Sequence, residues 1–167
     1  MTQAEPPLPA SLQIDSAASF LAALSWATEV ALAQRARTMV WADPSFDDWP
    51  LDDEALLAGL AAWLRLPLRH LTLLRSGGAT LGLRHPRFAR WGATWSHAVQ
   101  WRLAPADALA LPSAAWIQGA AIVVLDDPRL WLGQARTQRA AVQQWGEQID
   151  VVLQRSQPGP GFTTLGL

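Results

Sequence analysis

The chain is 167 residues long, half of it apolar, with a formal net charge of −1. That suits a single soluble globular domain burying roughly 70% of its unfolded surface, and argues against disorder or a strongly basic nucleic-acid binder. Cysteine and lysine are both absent, all thirteen basic residues being Arg, which excludes disulfides, thiolate metal sites, thiol catalysis, Schiff-base lysines and the Gly-Lys of a Walker phosphate loop.

The missing Lys, Tyr, Asn and Cys, beside abundant Ala, Leu, Arg and Trp, hint at a GC-rich bacterial genome. The opening MTQAEPPLPA has neither a basic nor an apolar segment of a secretory signal, so residues 1–11 read as a flexible tail and 12–167 as the domain. Phe20 to Ala33, the longest apolar stretch, is interrupted by Glu29 and falls short of the about 20 residues a bilayer requires. A cytoplasmic protein with no membrane association is expected.

Asp15 or Ser16 can cap a first helix carrying Phe20, Leu24, Ala27 and Ala31 on one face and ending near Arg37. Thr38 to Ala42 is an unbroken apolar run, hence a buried strand. The acidic loop Asp43 to Pro50 holds Phe46 and Trp49, and Asp52 and Asp53 open a helix that Pro67 ends. His70 to Leu74 is a second strand, followed by an irregular loop at Ser76-Gly77-Gly78. A helix after Pro86 aligns Phe88, Trp91 and Trp95 in a stripe suited to burial. Val99 to Leu103 is a third strand and Pro105 to Pro112 a loop. Two short strands follow around Gln118-Gly119, between Ala114 and Asp127. Gln134 to Arg155 is the last long helix, with Val142, Trp145, Ile149 and Val152 on one face, and the tail Gly161 to Leu167 can clip onto the domain.

This order predicts an α/β domain with a mainly parallel central sheet, helices on both faces and a terminal hairpin. A thioredoxin-like sheet and one half of a phospholipase-D-like fold both fit it.

Several residue groups invite a chemical reading. His70, His85 and His97 lack the paired spacing of a metal site, so no metal is expected and boundary roles suffice. Asp43, Asp47, Asp48, Asp52 and Asp53 cluster after the first strand, at an edge where open α/β sheets bind ligands. Arg84, Arg87 and Arg90 rise at helical spacing and could hold phosphates, although a solvated face explains them as well. Three arginines are too few for tight nucleic-acid binding. Ser76-Gly77-Gly78 lacks a full glycine fingerprint and reads as a turn. Ten tryptophans exceed the about two or three expected at this size. Trp41, Trp63, Trp91, Trp95 and Trp145 fall on core faces, while Trp101, Trp116 and Trp131 are candidate interface anchors.

The stretches TMVWADPSFDD, LPSAAWIQG, QIDVVLQRSQP and FTTLGL carry a resemblance to a bacterial family of phospholipase-D-like domains of unknown function, often attached to GNAT-type acetyltransferase domains. It covers almost the whole chain from Asp15. Active members of the wider superfamily carry His-x-Lys-x4-Asp, two halves meeting about a twofold. With Asp126 or Asp127 as the Asp, the His and Lys places fall on Gly119 and Ala121, or on Ala120 and Ile122. The resemblance thus implies a domain with no catalytic residue and no cofactor, a binding or protein-interaction module that pairs as a homodimer or serves an acetyltransferase-type partner. The alternative is a nucleotide- or phosphoester-binding protein or enzyme using Asp43 with Arg84, Arg87 and Arg90.

Overall fold

Ser16 starts the first helix as the sequence predicts. Its hydroxyl accepts from the Ser19 backbone N–H while Ser19 Oγ accepts from the Ser16 N–H, a reciprocal cap. The structure, a computed structural model, describes residues 6–77, 81–108 and 110–159. Its helices are α1 (Ala17–Ala33), α2 (Glu54–Leu64), α3 (Leu81–Arg84), α4 (Pro86–Thr94) and α5 (Arg139–Arg155). The strands β1 (Ser11–Ile14), β2 (Thr38–Ala42), β3 (His70–Arg75), β4 (Val99–Leu103), β5 (Ser113–Ile117), β6 (Ala121–Asp127), β7 (Leu132–Arg136) and β8 (Gln157–Pro158) form one sheet in the order β1-β7-β6-β5-β2-β3-β4-β8.

The sheet is mixed and mostly antiparallel, which corrects the mainly parallel arrangement expected. Parallel pairing is confined to β2–β3 and β3–β4, whereas β1–β7, β7–β6, β6–β5, β5–β2 and β4–β8 run antiparallel. For β5–β6 and β6–β7 the cause is connection length. Helical crossovers lie between β2 and β3 and between β3 and β4, but only Gln118–Ala120 separates β5 from β6 and only Pro128–Trp131 separates β6 from β7. Such short connections force hairpins.

Three strands were not expected. β1 begins at Ser11, within the segment read as a tail, and the Pro9 carbonyl accepts from Trp26 Nε1 at 2.9 Å. β7 occupies the start of the expected last helix, so α5 opens at Arg139 and not at Gln134. Gly133 permits this strand, because a Cβ there would collide with the Val124 carbonyl oxygen of β6. β8 clips to β4 through Arg102 and Leu103. The first helix stops at Ala33, short of Arg37, where Arg35 takes φ +55°, and α3 forms within the expected irregular loop. Gly78 and the tail Gly161 to Leu167 lie outside the described residues.

Strand alternation divides the core in two. On one face α1, α2 and α4 bury Phe20, Leu24, Leu60, Trp63 and Phe88 against Met39 and Trp41 of β2, Leu71 and Leu73 of β3 and Ala121 and Val123 of β6. On the other face α5 covers Val40, Ala42, Leu74, Ala114, Ile122 and Val124, contributing Val142 and Ile149. Trp91, Trp95 and Trp145 are half-buried at the margins of these cores.

Candidate functional site

The hairpin turn between β5 and β6 lies where the resemblance would place catalytic side chains. Its tip is fixed by backbone bonds, Gln118 N–H to the Thr38 carbonyl at 3.0 Å and Ala120 N–H to the Ile117 carbonyl at 3.0 Å. Gly119 adopts φ +68°, the left-handed region that glycine tolerates at no steric cost. Ala121, with 0% exposure, is sealed in the core on the α1 face, and Ile122, at 1%, beneath α5. Ala120 is buried as well. Asp126 is exposed, while Asp127 Oδ1 accepts from the Arg129 and Leu130 N–H groups at 3.0 and 3.3 Å and so shapes the β6–β7 turn. A groove of about 720 Å³ reaches Gly119 between the hairpin and α5, and Trp116, Thr137 and Arg139 line it.

The second group, Asp43 with the arginine row, is built differently from its sequence reading. Asp43 is buried at the end of β2. Its Oδ2 accepts from the N–H groups of Ser45 at 3.0 Å and Phe46 at 2.6 Å, and its Oδ1 accepts from the Ser113 hydroxyl. This carboxylate ties the acidic loop to the start of β5, with both oxygens occupied. Asp52 Oδ1 accepts from the Phe88 N–H, and Asp53 caps α2 through the Leu56 N–H, each at 2.8 Å. Arg84 closes α3, and Arg87 and Arg90 lie on α4. All three are exposed, with no carboxylate partner among the described residues. Their common rise is interrupted at His85, which is buried and hydrogen-bonded through Nε2 to the Phe46 carbonyl at 2.8 Å. His70 and His97 are exposed elsewhere, and no group of three His, Cys, Asp or Glu able to hold a metal occurs among the described residues.

The candidate anchors occupy three settings. Trp101, 5% exposed, lies between Phe46 and Phe88, with the Arg75 guanidinium 4.9 Å from its ring centroid. Burial pushes the Arg75 guanidinium below its ordinary pKa, and the indole face offers the cation a partner. Trp116 is half-buried under α5, its Nε1 donating to the Val142 carbonyl at 2.9 Å. Trp131 sits at φ +54° in the β6–β7 turn, 5.8 Å from the Phe20 ring, between the exposed Leu130 and Leu132.

Sequence reading missed the continuity of the aromatic residues. Trp131, Phe20, Trp49, Phe46, Trp101, Phe88, Trp91 and Trp95 form an unbroken train, with neighbouring centroids 4.9 to 6.5 Å apart. These residues come from α1, two turns, β4 and α4, so no local spacing announces the network. It also missed a cavity between α5 and the β4–β5 connection. Among the described residues no helix is long and apolar enough to cross a membrane.

No protein-family model and no characterised protein matches the chain by sequence. Solved structures match by shape. TrmBL2, an archaeal chromatin protein with a novel mode of DNA binding, superposes with TM-score 0.63 at 10% identity, over 95% of this chain and 57% of that one. Phosphatidylserine synthase from Haemophilus influenzae gives 0.55 at 14% identity, over 86% of this chain and 38% of its own. Nuc from Salmonella typhimurium, a phospholipase D family member, gives 0.54 at 8% identity, over 86% and 91%. The chain therefore spans little more than half of TrmBL2 and well under half of the synthase. Of the two folds compatible with the element order, the chain has the phospholipase-D-like one.

Proposed function

We propose that the domain is a non-catalytic binding or protein-interaction module of phospholipase-D-like fold, working as a homodimer. The observation that carries this reading is the packing at the motif positions. The Lys place falls on Ala121 or Ile122, each within 1% of complete burial, where a cation would be cut off from solvent. The His place falls on Gly119 or Ala120, and no lysine occurs in the chain. Of the aromatic anchors, Trp101 and Trp116 are engaged inside the fold, while Trp131 is flanked by the exposed Leu130 and Leu132, which supports that turn as the contact for a second copy.

Hydrolysis of bis(p-nitrophenyl) phosphate by the purified chain tests the first half. Turnover that survives rigorous purification overturns it. Light scattering tests the second half. A particle near twice 18.2 kDa is expected at tens of micromolar, shifting to monomer in Leu130→Asp/Leu132→Asp. A wild-type monomer at that concentration removes the dimer.

A second reading, binding of a nucleotide or phosphoester, is supported by the exposed row Arg84, Arg87 and Arg90, which has no carboxylate partner among the described residues. It predicts a saturable thermal shift with nucleotides that weakens with salt and in Arg87→Ala. The net charge of −1 weighs against carrying the DNA binding of TrmBL2 over to this chain. Service to an acetyltransferase-type partner predicts co-purification from the native cell.

A further inference from the structure

At the end of β2 opposite the Gly119 turn, an apolar cavity of about 590 Å³ opens between α5 and the connection from β4 to β5. Ala42 and Leu74, at the carboxyl ends of β2 and β3, form its floor, and Leu111, Trp145, Ile149 and Val152 its walls. Sites for small molecules measure roughly 300–1,000 Å³ and combine an apolar lining with a few placed polar groups. Among the described lining residues the charged groups are two. Arg155 Nη2 donates to both carboxylate oxygens of Asp107, at 2.9 and 2.8 Å, at a solvated rim where the side chains are 55% and 73% exposed.

That pairing is lopsided. A guanidinium carries five N–H donors in a planar fork, and Asp107 engages only the Nη2 corner. Nε and Nη1 of Arg155 make no hydrogen bond among the described residues. Asp107 meets that one corner with both oxygens, so the other donors of the guanidinium are not drawn to it. The rim therefore offers unused donors beside an apolar chamber, a charge pattern complementary to one anionic group on an apolar body.

We propose that this cavity binds an apolar anion, a hydrocarbon chain or ring seated between α5 and the β4–β5 connection with its carboxylate or phosphate on the unused edge of Arg155. The site does not rest on the non-catalytic reading, since it shares no residue with the hairpin turn. Phosphodiesterase turnover would overturn that reading and leave this one standing.

The test is calorimetric titration of the full chain with decanoate, decyl phosphate and decanol, and with vesicles of phosphatidylglycerol. Decanoate or decyl phosphate, or both, saturate at one per chain, the tighter of the two fixing the head group, and decanol binds about tenfold more weakly for want of a charge-assisted hydrogen bond. Arg155→Gln, an exposed change, weakens the anions about tenfold and leaves decanol unchanged. Ala108→Trp, which places a ring at the cavity wall, abolishes all three. The proposal is overturned if neither anion saturates, if decanol binds as tightly as the anions, if the Arg155→Gln chain keeps its anion affinity, or if vesicles bind while soluble amphiphiles do not.

Discussion

The docking of α5 over Trp116 makes Gly146→Ala informative, because two effects oppose each other there. In a helix interior alanine is favoured over glycine by about 0.5–1 kcal/mol. A Cβ at position 146, however, would lie 2.7, 2.9 and 3.0 Å from Cζ2, Cε2 and Nε1 of Trp116. Ordinary carbon contacts are about 3.5–4.0 Å, so helix and ring must separate by about 1 Å. The ring cannot swing away cheaply, since its Nε1 is bonded to the Val142 carbonyl at 2.9 Å. Separation would strain that bond, worth about 1 kcal/mol, and overpacking of this kind costs about 1–3 kcal/mol. The helix gain offsets about one of these, leaving a net loss of about 2 kcal/mol and a Tm lower by about 4–8 °C at this chain length. Urea and thermal melts followed by circular dichroism measure it. In a Trp116→Phe background the colliding indole atoms are gone, and the same Gly146→Ala change should then stabilise by up to about 1 kcal/mol. Stabilisation by Gly146→Ala in the wild-type background, or an equal loss in both backgrounds, would refute the packing assignment.

Gly133→Ala should be more damaging, by at least about 3 kcal/mol, because its Cβ meets backbone of β6 and not a movable side chain; a melt within about 1 kcal/mol of wild type contradicts it. Asp43→Ala should lose about 2–4 kcal/mol, leaving the buried Phe46 N–H and Ser113 hydroxyl without their acceptor. If Asp43 were instead a ligand group held ready for phosphate, its removal would leave stability unchanged. Ala121→Lys should fold poorly or melt several kcal/mol lower, on the order of 3–5, since it buries an unpaired cation; a stable variant would show that this position reaches solvent. Arg155, by its hydrogen bond and its charge, holds the Asp107 carboxyl below its ordinary pKa. The folded value being depressed, the ion pair is intact at neutral pH and lost as pH falls through that value. A carboxyl titration by NMR should show Asp107 moving upward in Arg155→Gln, and an unshifted midpoint excludes the pairing.

What was legible in the sequence was whatever a single local pattern determines. TMVWA reads as a buried strand because five apolar residues in a row suit burial on both faces, and β2 has helices on both sides. Ser16 announces α1 because a hydroxyl before an apolar repeat satisfies an end N–H. LGQAR announces nothing, since it holds no β-branched or aromatic residue and Gly133 is depleted in strands. Its place in the sheet comes from the short turn after Asp127 and from the room that Gly133 gives β6, both tertiary facts. Alternation of helices and strands predicts a parallel sheet, by a rule that counts elements but ignores how short the links are. At the candidate site, Asp43 looked available because it follows a strand. Ser113, 70 residues away, is what occupies it.

The two ends of β2 then separate by physical logic. At its start, Thr38 receives the hairpin turn, and the chain there is closed by the small or apolar Gly119, Ala121 and Ile122. At its end, Ala42 and Leu74 present a small apolar floor that α5 spans without filling. The same helix governs both ends. Seated against Trp116 through Gly146, it runs along the middle of its face and leaves a groove toward Gly119 and a cavity toward Ala42. A bulkier residue at 146 would lift α5 and alter both openings at once. Changes in ligand affinity at the Ala42 end should therefore track the stability loss in Gly146→Ala and recover with it in the Trp116→Phe background. Failure of that correlation would mean the cavity is shaped by the β4–β5 connection and not by the seat of the helix.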